Sequence, residues 1–232
     1  FIGQSPWDHR PLIAELAEQV GRDMGESDGV LVFDPSGFKK QGKESVGVAR
    51  QWCGRLGKID NCQMGVYLAY AGPRGHTLLD ERLYLPEEWA ADRERREAAG
   101  VPEEVVFRTK PELALELIEG TGRHVRHGWV TFDEGYGKDP AFLQGLEEAE
   151  ERYIGEVPKS TRGWLQRLIV EEAGASRTGR PRHKPRVRRD QPAPETAEAI
   201  AATLPSTAWK RLAYREGTQG VQHADFARVR FF

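Results

Sequence analysis

Apolar residues near the start of the chain recur at the spacing of a helix. Leu12, Leu16 and Val20 are four positions apart, and residues four apart lie on one face of a helix. Asp8 is suited to cap the first turn, and Gly21 to end the last one. The pattern therefore predicts a helix within an N-terminal helical segment over residues 1–28.

Two short runs predict buried strands that each lead into an aspartate. Residues 30–33 and 129–132 are almost entirely apolar, which is typical of strands covered on both faces. Asp34 follows the first run and Asp133 follows the second. We expect the first strand to stop at Asp34, because the Pro-Ser-Gly sequence that follows breaks regular structure. If the two strands are parallel neighbours, their carboxyl ends place both aspartates at one edge of the sheet.

The rest of the chain predicts further strands and helices. These are a short strand at 46–53, a hairpin of strands at 64–70 and 77–85, a helix ending near Gly120, a helix opening at Pro140, a strand at 153–157, an Ala-rich helix at 195–204, a helix at 208–216 bounded by Gly217, and a strand at 226–232. Three strands followed by alternating helices and strands indicate an α/β fold, with a sheet of mixed direction and helices on both faces.

Composition narrows the class of protein. The chain has 232 residues, of which 38% are hydrophobic and 30% charged, as in globular domains with a polar surface. No run approaches the roughly 18 apolar residues that a membrane helix needs, and no secretory segment is evident. We therefore expect a cytoplasmic protein without a membrane partner, with Cys53 and Cys62 as free thiols. The chain starts without Met, so we interpret it as a fragment.

Positive charge is concentrated in one segment although the net charge is only −2. Between Pro158 and Arg189 there are ten lysines and arginines against two glutamates. Arginines in such a segment can contact DNA phosphates, but a solvated loop has the same composition. We define residues 159–204 as a basic insertion, and its candidate DNA contacts are Arg186, Arg188 and Arg189.

A second group of basic residues follows the first aspartate. A flexible basic loop at this position could hold a scissile phosphate, and simple solvation is the alternative. The candidates are Lys39, Lys40, Lys43 and Arg50. Trp52, close by, could stack on an unpaired base, but we expect it to pack in the core.

Converging carboxylates suggest a metal site. Mg²⁺ prefers oxygen ligands and completes its shell with water and substrate phosphates. Asp34 and Asp133 would supply two ligands, and Glu216 is the best third candidate because it ends a predicted helix beside a glycine-rich turn. Aspartates at strand ends also commonly cap turns without any catalytic role. Spacing alone does not choose between the two.

Several motifs resemble those of the DDE-type insertion-sequence transposases. Residues 30–38 read VLVFDPSGF, and this segment is similar to the first-aspartate motif of that family. GVARQWCG at 47–54, GKIDNCQ at 57–63, RLYLP at 82–86 and WVTFD at 129–133 continue the pattern. REGTQG at 215–220 resembles the family's glutamate motif, although the family usually has lysine where Gln219 stands. The resemblance extends over nearly the whole chain.

The resemblance implies a ribonuclease-H-like fold in which Asp34, Asp133 and Glu216 are catalytic and bind the metal. It implies cleavage at transposon ends and strand transfer to target DNA with Mg²⁺, for which Mn²⁺ can substitute. The expected partners are double-stranded DNA and a second copy of the chain when on DNA, in the bacterial cytoplasm at the nucleoid. The catalytic core would comprise residues 29–158 and 205–232. A catalytically silent DNA-binding derivative and a ribonuclease-H-like repair nuclease remain as alternatives.

Overall fold

The structure is a computed structural model that describes residues 8–171, 173–174, 185–218 and 220–230. The chain divides into two compact units, Phe1–Val157 and Pro158–Phe232. Within the described ranges, no helix is both long enough and apolar enough to cross a bilayer.

The first unit contains six helices and six strands among its described residues. The helices are α1 (Arg10–Asp23), α2 (Glu87–Ala91), α3 (Arg93–Ala98), α4 (Lys110–Gly120), α5 (Glu134–Gly137) and α6 (Pro140–Glu148). The strands are β1 (Val30–Lys39), β2 (Ala49–Cys53), β3 (Lys58–Gly72), β4 (Gly75–Leu83), β5 (Trp129–Phe132) and β6 (Tyr153–Gly155). Short 3₁₀ turns span Gly54–Leu56 and Gly122–His124.

These strands form one sheet of mixed direction. Strand β3 pairs antiparallel with β1, β4 and β2, whereas β1 pairs parallel with β5, and β5 with β6. The order across the sheet is β2-β3-β1-β5-β6, with β4 also paired to β3. A mixed sheet of this order, flanked by helices, is compatible with the predicted ribonuclease-H-like fold.

Helices α1, α4, α5 and α6 cover one face of the sheet. The expected helices on the second face are not found among the described residues of the first unit. Leu31 and Phe33 of β1 are buried on the covered face, in one cluster with apolar residues of α1, α4 and α6. Alternate residues of a strand point to opposite faces, so Val32 and Asp34 lie on the other face, where Val32 is half-buried and Asp34 is exposed. The expectation that this strand is buried on both faces was therefore wrong.

The first strand also runs further than predicted. It continues past Asp34 to Lys39, paired with β3 along its whole length. Strand β5 pairs only with Val30–Val32 of β1, so from Asp34 onward β1 has a paired strand on one side only, as far as the described residues show. Proline lacks a backbone donor and is tolerated on such an edge. Pro35 therefore does not end the strand.

The second unit is built from short antiparallel pairs. Its described elements are β7 (Arg162–Gly163), β8 (Val170–Glu171), β9 (Arg186–Val187), β10 (Glu195–Thr196), α7 (Ala197–Thr203), a 3₁₀ turn at Ser206–Ala208, β11 (Trp209–Gly217) and β12 (Gly220–Ala227). The pairs are β7 with β10, β8 with β9, and β11 with β12. Arg177, Arg180, Arg182, Lys184 and Gln219 lie outside the described residues.

The helix predicted at 208–216 was wrong. This segment forms β11, which pairs with β12 in a hairpin. Gly217 lies opposite Gly220, which has a φ of 98°, and glycine in this conformation favours a tight turn between strands. The glycine that suggested a helix end therefore begins a hairpin turn. The final strand was expected at 226–232, but β12 covers Gly220–Ala227 and the described residues 228–230 lie beyond its end. Residues 231–232 lie outside the described part of the chain.

Candidate active site

The sheet brings Asp34 and Asp133 together at one edge. In the parallel pairing of β1 with β5, Val32 lies opposite Thr131. Asp34 and Asp133 each lie two residues further along, so they occupy matching positions on adjacent chain segments. Paired strands lie about 4.8 Å apart. The predicted parallel, adjacent arrangement of these two segments is confirmed.

The surroundings of Asp34 disfavour its charge. Partial burial raises the pKa of Asp34 above its ordinary value, and the nearby Asp133 carboxylate raises it further. Because the ionised form of Asp34 is disfavoured here, a cation bound beside it would stabilise that form. Asp34 belongs to a shallow, largely apolar pocket on the face of the sheet opposite the helices. The other residues of the pocket are Val32, Ser36, Phe38, Tyr67, Ala69 and Leu78.

Asp133 also has a structural role. It is the N-cap of α5, and its Oδ1 accepts a hydrogen bond from the backbone N–H of Gly135 at 2.9 Å. A Cβ atom at position 135 would lie 2.9 Å from the same Oδ1. The cap fixes the orientation of the carboxylate, and the missing side chain of Gly135 leaves room for it. Capping and metal binding are thus compatible at Asp133.

A buried tyrosine beside the two aspartates was missed by the sequence reasoning. Tyr136 is 2% exposed, and its hydroxyl has no hydrogen-bond partner among the described residues. Burial raises its pKa, and the charges of Asp133 and Asp34 raise it further. A buried hydroxyl without a partner is costly. The sequence could have indicated this position, because Tyr136 comes three residues after Asp133, on the first turn of α5.

Lys110 was also missed. It is the first residue of α4 and is half-buried, with its Nζ 5.2 Å from the centre of the Tyr84 ring. Burial lowers its pKa, while Cys62 and Asp133 act in the opposite direction. This places a partly desolvated cation within electrostatic range of the Asp133 carboxylate.

The donor set fits a hard divalent cation in part. Asp34 and Asp133 offer carboxylate oxygens, the ligands that Mg²⁺ and Mn²⁺ prefer. Among the described residues, no group of three or more His, Cys, Asp or Glu side chains is arranged to hold a metal. The first unit therefore supplies two of the three carboxylates expected.

Glu216 lies in the second unit. It is exposed on β11, opposite Val221 of β12, instead of at the end of a helix. It sits two residues from the tip of the hairpin, so its side chain is accessible to a ligand. Its role as the third carboxylate remains a prediction from the sequence motif.

The predicted basic contacts differ in their surroundings. Lys39 lies 3.7 Å from Asp60, which Lys58 also approaches at 3.2 Å. Lys43 and Arg50 are exposed and Lys40 is half-buried, and no ion pair of these three is described. In the second unit, Arg186 pairs with Glu171 at 2.9 Å and Arg188 with Asp190 at 2.6 Å, whereas no ion pair of Arg189 is described.

The expectation that Trp52 packs in the core was wrong. This residue is 59% exposed and lies opposite Ile59, which is also 59% exposed, where β2 pairs with β3. By the register of β1, β2 and β3, both side chains lie on the face of the sheet opposite the helices.

Comparison with known proteins agrees with this geometry. A family model described as DDE superfamily endonuclease matches residues 1–221. The chain is also similar to a probable transposase for insertion sequence element IS701 from Microchaete diplosiphon, with 34% identity over 163 residues. The match covers 66% of this chain and 38% of that relative, so it spans well under half of the relative's length.

Proposed function

The chain belongs to the DDE superfamily of endonucleases, and from this we propose that it is the catalytic part of a DNA transposase. It would cleave phosphodiester bonds at transposon ends and join the freed ends to target DNA. The observation that carries the proposal is the matched position of Asp34 and Asp133 on adjacent parallel segments. The similarity to an insertion-sequence transposase supports DNA as the substrate.

In this proposal Asp34 and Asp133 bind a divalent metal ion, and Glu216 completes the ligand set. Bound Mg²⁺, or Mn²⁺ in its place, supplies Lewis-acid chemistry for the attacking and leaving oxygens of the phosphodiester. The cap bond from Gly135 holds the Asp133 carboxylate in one orientation. The cost of placing two carboxylates side by side is then offset by the cation.

Basic side chains would position the DNA. Contacts to phosphates fix the register and orientation of DNA without reading its sequence. Lys39, Lys40 and Lys43 follow Asp34 on the same strand or in the loop after it, and Arg50 lies on β2. These side chains would contact phosphates of the DNA that passes Asp34. Arg186, Arg188 and Arg189 would contact DNA from the second unit. We further propose that two copies act together on DNA, at the bacterial nucleoid.

Replacing either aspartate tests the proposal. Asp34→Asn and Asp133→Asn keep the side-chain shape but remove charge that binds the cation, so Mg²⁺-dependent nicking of a supercoiled plasmid should be abolished. DNA binding without metal should be retained, because phosphate contacts carry most of the affinity. The matched control is Asp28→Asn, at an exposed turn. Wild-type nicking by Asp34→Asn would rule the proposal out.

The same variants report on the electrostatics of the pair. The pKa of Asp34 is raised in the folded chain above its ordinary value of 3.8. At a pH above 3.8 the ionised carboxylate therefore destabilises the folded state. Without metal at pH 7, Asp34→Asn should therefore have a thermal midpoint equal to or above that of the wild type. The difference should disappear as the pH falls toward that value. A clear drop in the midpoint at pH 7 would mean that the carboxylate stabilises the fold.

A further inference from the structure

The face of the sheet opposite the helices carries more than the aspartate pair. Asp34 lies opposite Tyr67, and Phe38 opposite Gln63, in the pairing of β1 with β3. Directly paired residues share a face, and alternate residues of β3 stay on it. This face therefore continues from Tyr67 along β3 to Ile59. We call it the open face.

The outer end of the open face is formed where β2 pairs with β3. Trp52 lies opposite Ile59, and Arg50 opposite Asn61, so these four residues extend the face that bears Asp34. Trp52 and Ile59 are each 59% exposed. Tryptophan is usually largely buried, and a large exposed apolar pair beside a cation marks an interaction surface.

Charge indicates what binds there. The first unit has 19 lysines and arginines against 29 aspartates and glutamates, yet residues 38–62 contain six basic residues and only two acidic ones. Asp60 is paired with Lys39 and Lys58, and Gln51, opposite Asp60, shares its face. That face is the one turned away from Arg50. Lys39 and Lys58 lie on that other face with Asp60, whose charge they offset. Arg50 is a basic residue beside Trp52 on the open face, where a phosphate backbone can reach it.

The loop that carries the lysines is held against the same hairpin. The side-chain amide of Asn61 donates to the backbone carbonyls of Lys40 and Gly42, both at 2.9 Å. These bonds fix the start of the loop beside Arg50. Aromatic and basic side chains are therefore arranged together on an ordered part of the chain.

We propose that Trp52 and Arg50 form a DNA-binding surface in which Trp52 stacks on an unpaired base and Arg50 contacts a neighbouring phosphate. This inference rests on the proposed function, since the same DNA strand would pass Asp34. Ile59 lies eight residues from Tyr67 along β3, which is about 26 Å at the rise of an extended strand. Where the DNA between them is double-stranded, at about 3.4 Å per nucleotide of one strand, the stacked base lies roughly eight nucleotides from the cleaved bond.

The test compares two DNA probes in EDTA, where no cleavage occurs. One probe is a blunt duplex, and the other is the same duplex with a ten-nucleotide single-stranded extension. Loss of a base–aromatic stack costs about 1–3 kcal/mol, so Trp52→Ala should bind the extended probe about tenfold more weakly and the blunt probe as the wild type does. Trp52→Phe should keep most of the affinity.

Two further variants complete the design. Arg50→Ala should reduce the slope of log affinity against log salt by about 0.7 on the single-stranded extension. Leu12→Ala is the matched control, because Leu12 is 62% exposed on α1, on the other side of the sheet, and it should bind both probes as the wild type does. Trp52 is exposed, so its replacement should leave the thermal midpoint unchanged.

The outcomes separate this inference from the function on which it rests. If Trp52→Ala binds both probes as the wild type does, the stacking surface is wrong. The same holds if that variant only converts a dimer into a monomer, because the surface then packs against a second copy. In either case loss of plasmid nicking by Asp34→Asn would still support the proposed function. If Asp34→Asn nicks normally, the proposed function fails whatever Trp52 does.

Discussion

At the scale of single residues, the aspartate pair depends on the small residue beside it. Asp133 accepts a hydrogen bond from the N–H of Gly135, and no side chain fits at position 135 without touching the carboxylate. The same carboxylate therefore caps a short helix and faces Asp34. The geometry of the cap sets the direction in which its other oxygen can bind a ligand.

Gly135→Ala should damage activity more than stability. The new methyl group would lie 2.9 Å from Asp133 Oδ1, and the carboxylate must rotate away. Losing the cap lowers the free energy of unfolding by about 1 kcal/mol, whereas alanine in place of glycine in a helix raises it by roughly 1 kcal/mol. The thermal midpoint should therefore barely change. A displacement of about 1 Å can cost about 10²-fold in rate.

Plasmid nicking and the thermal midpoint, measured on the same preparation, check this expectation. Gly120→Ala is the control, because a Cβ there meets nothing within 4 Å. Wild-type nicking by Gly135→Ala would mean that the orientation of Asp133 is unimportant.

At the scale of elements, the sequence predicted what local pattern determines. The β3–β4 hairpin, β5, α6 and α7 were each expected close to their observed positions. Helix α1 was expected too, but it runs past Gly21 to Asp23, and Leu12 and Leu16 of the predicted apolar face are exposed. The parallel pairing that unites Asp34 with Asp133 followed from two apolar runs that each lead into aspartate.

Pairing between distant segments could not be read from local pattern. Strand β1 passes through Pro35 because β3 pairs with it along its full length. Strand β11 replaced a predicted helix because its partner, β12, lies beyond a turn whose glycine equally suits a helix end. Trp52 was assigned to the core because its residue type is usually buried, and only the position of β2 at the end of the sheet shows otherwise.

The pairing of β2 with β3 also places the two cysteines of the chain on one face of this hairpin. Cys53 and Cys62 are fully buried. Burial is the main cause that raises the pKa of Cys62 to about 11, and the neighbouring Cys53 contributes to the same increase. Thiolate is the reactive form, so iodoacetamide at pH 8.5 should leave Cys62 unmodified in the folded protein and label it in urea.

Mass spectrometry of labelled protein checks this expectation, with Ser45→Cys as an exposed control thiol. The raised pKa of Cys62 also makes the stability of the fold depend on pH. Below pH 9 the thiol is protonated in both states. Above pH 9 the unfolded chain loses the proton first, so the free energy of unfolding should fall as the pH rises toward 11. Labelling of native Cys62 as fast as the control would contradict the buried, protonated state.

At the scale of the whole molecule, charge differs between the two units. The first has 19 basic and 29 acidic residues, and the second has 15 basic and seven acidic residues. Long-range attraction of DNA must then come mainly from the second unit, while the first unit holds the aspartate pair. In the proposed function the arginines of the second unit would attract DNA over a distance, and the first unit would supply the aspartate pair and the Trp52 surface. Each contribution can be tested with separate variants.

The arginines of the second unit should set the salt dependence of binding. Replacing Arg186, Arg188 and Arg189 with alanine should reduce the log–log salt slope for duplex DNA by roughly two to three. Two of them form surface ion pairs with acids, but such pairs are worth at most about 1 kcal/mol, and phosphates can replace them. Fluorescence anisotropy at stepwise salt gives the slope. An unchanged slope would show that the segment is only a solvated loop.

The assignment of the third carboxylate requires both units. Glu216 is exposed near the tip of the β11–β12 hairpin, and as a metal ligand it would have to join Asp34 and Asp133 of the first unit. Glu216→Gln keeps the size of the side chain and removes its charge. If Glu216 is the third ligand, this variant should lose Mg²⁺-dependent nicking as completely as Asp34→Asn does.

DNA affinity and the thermal midpoint of Glu216→Gln should stay at wild-type values, because the residue is exposed and carries no described ion pair. Asp225→Asn is the matched control, since Asp225 is an exposed acid on the same hairpin, opposite Arg211, and it should nick normally. If Glu216→Gln nicks at the wild-type rate while both aspartate variants are inactive, the two-aspartate site stands. The third ligand then comes from another acidic residue.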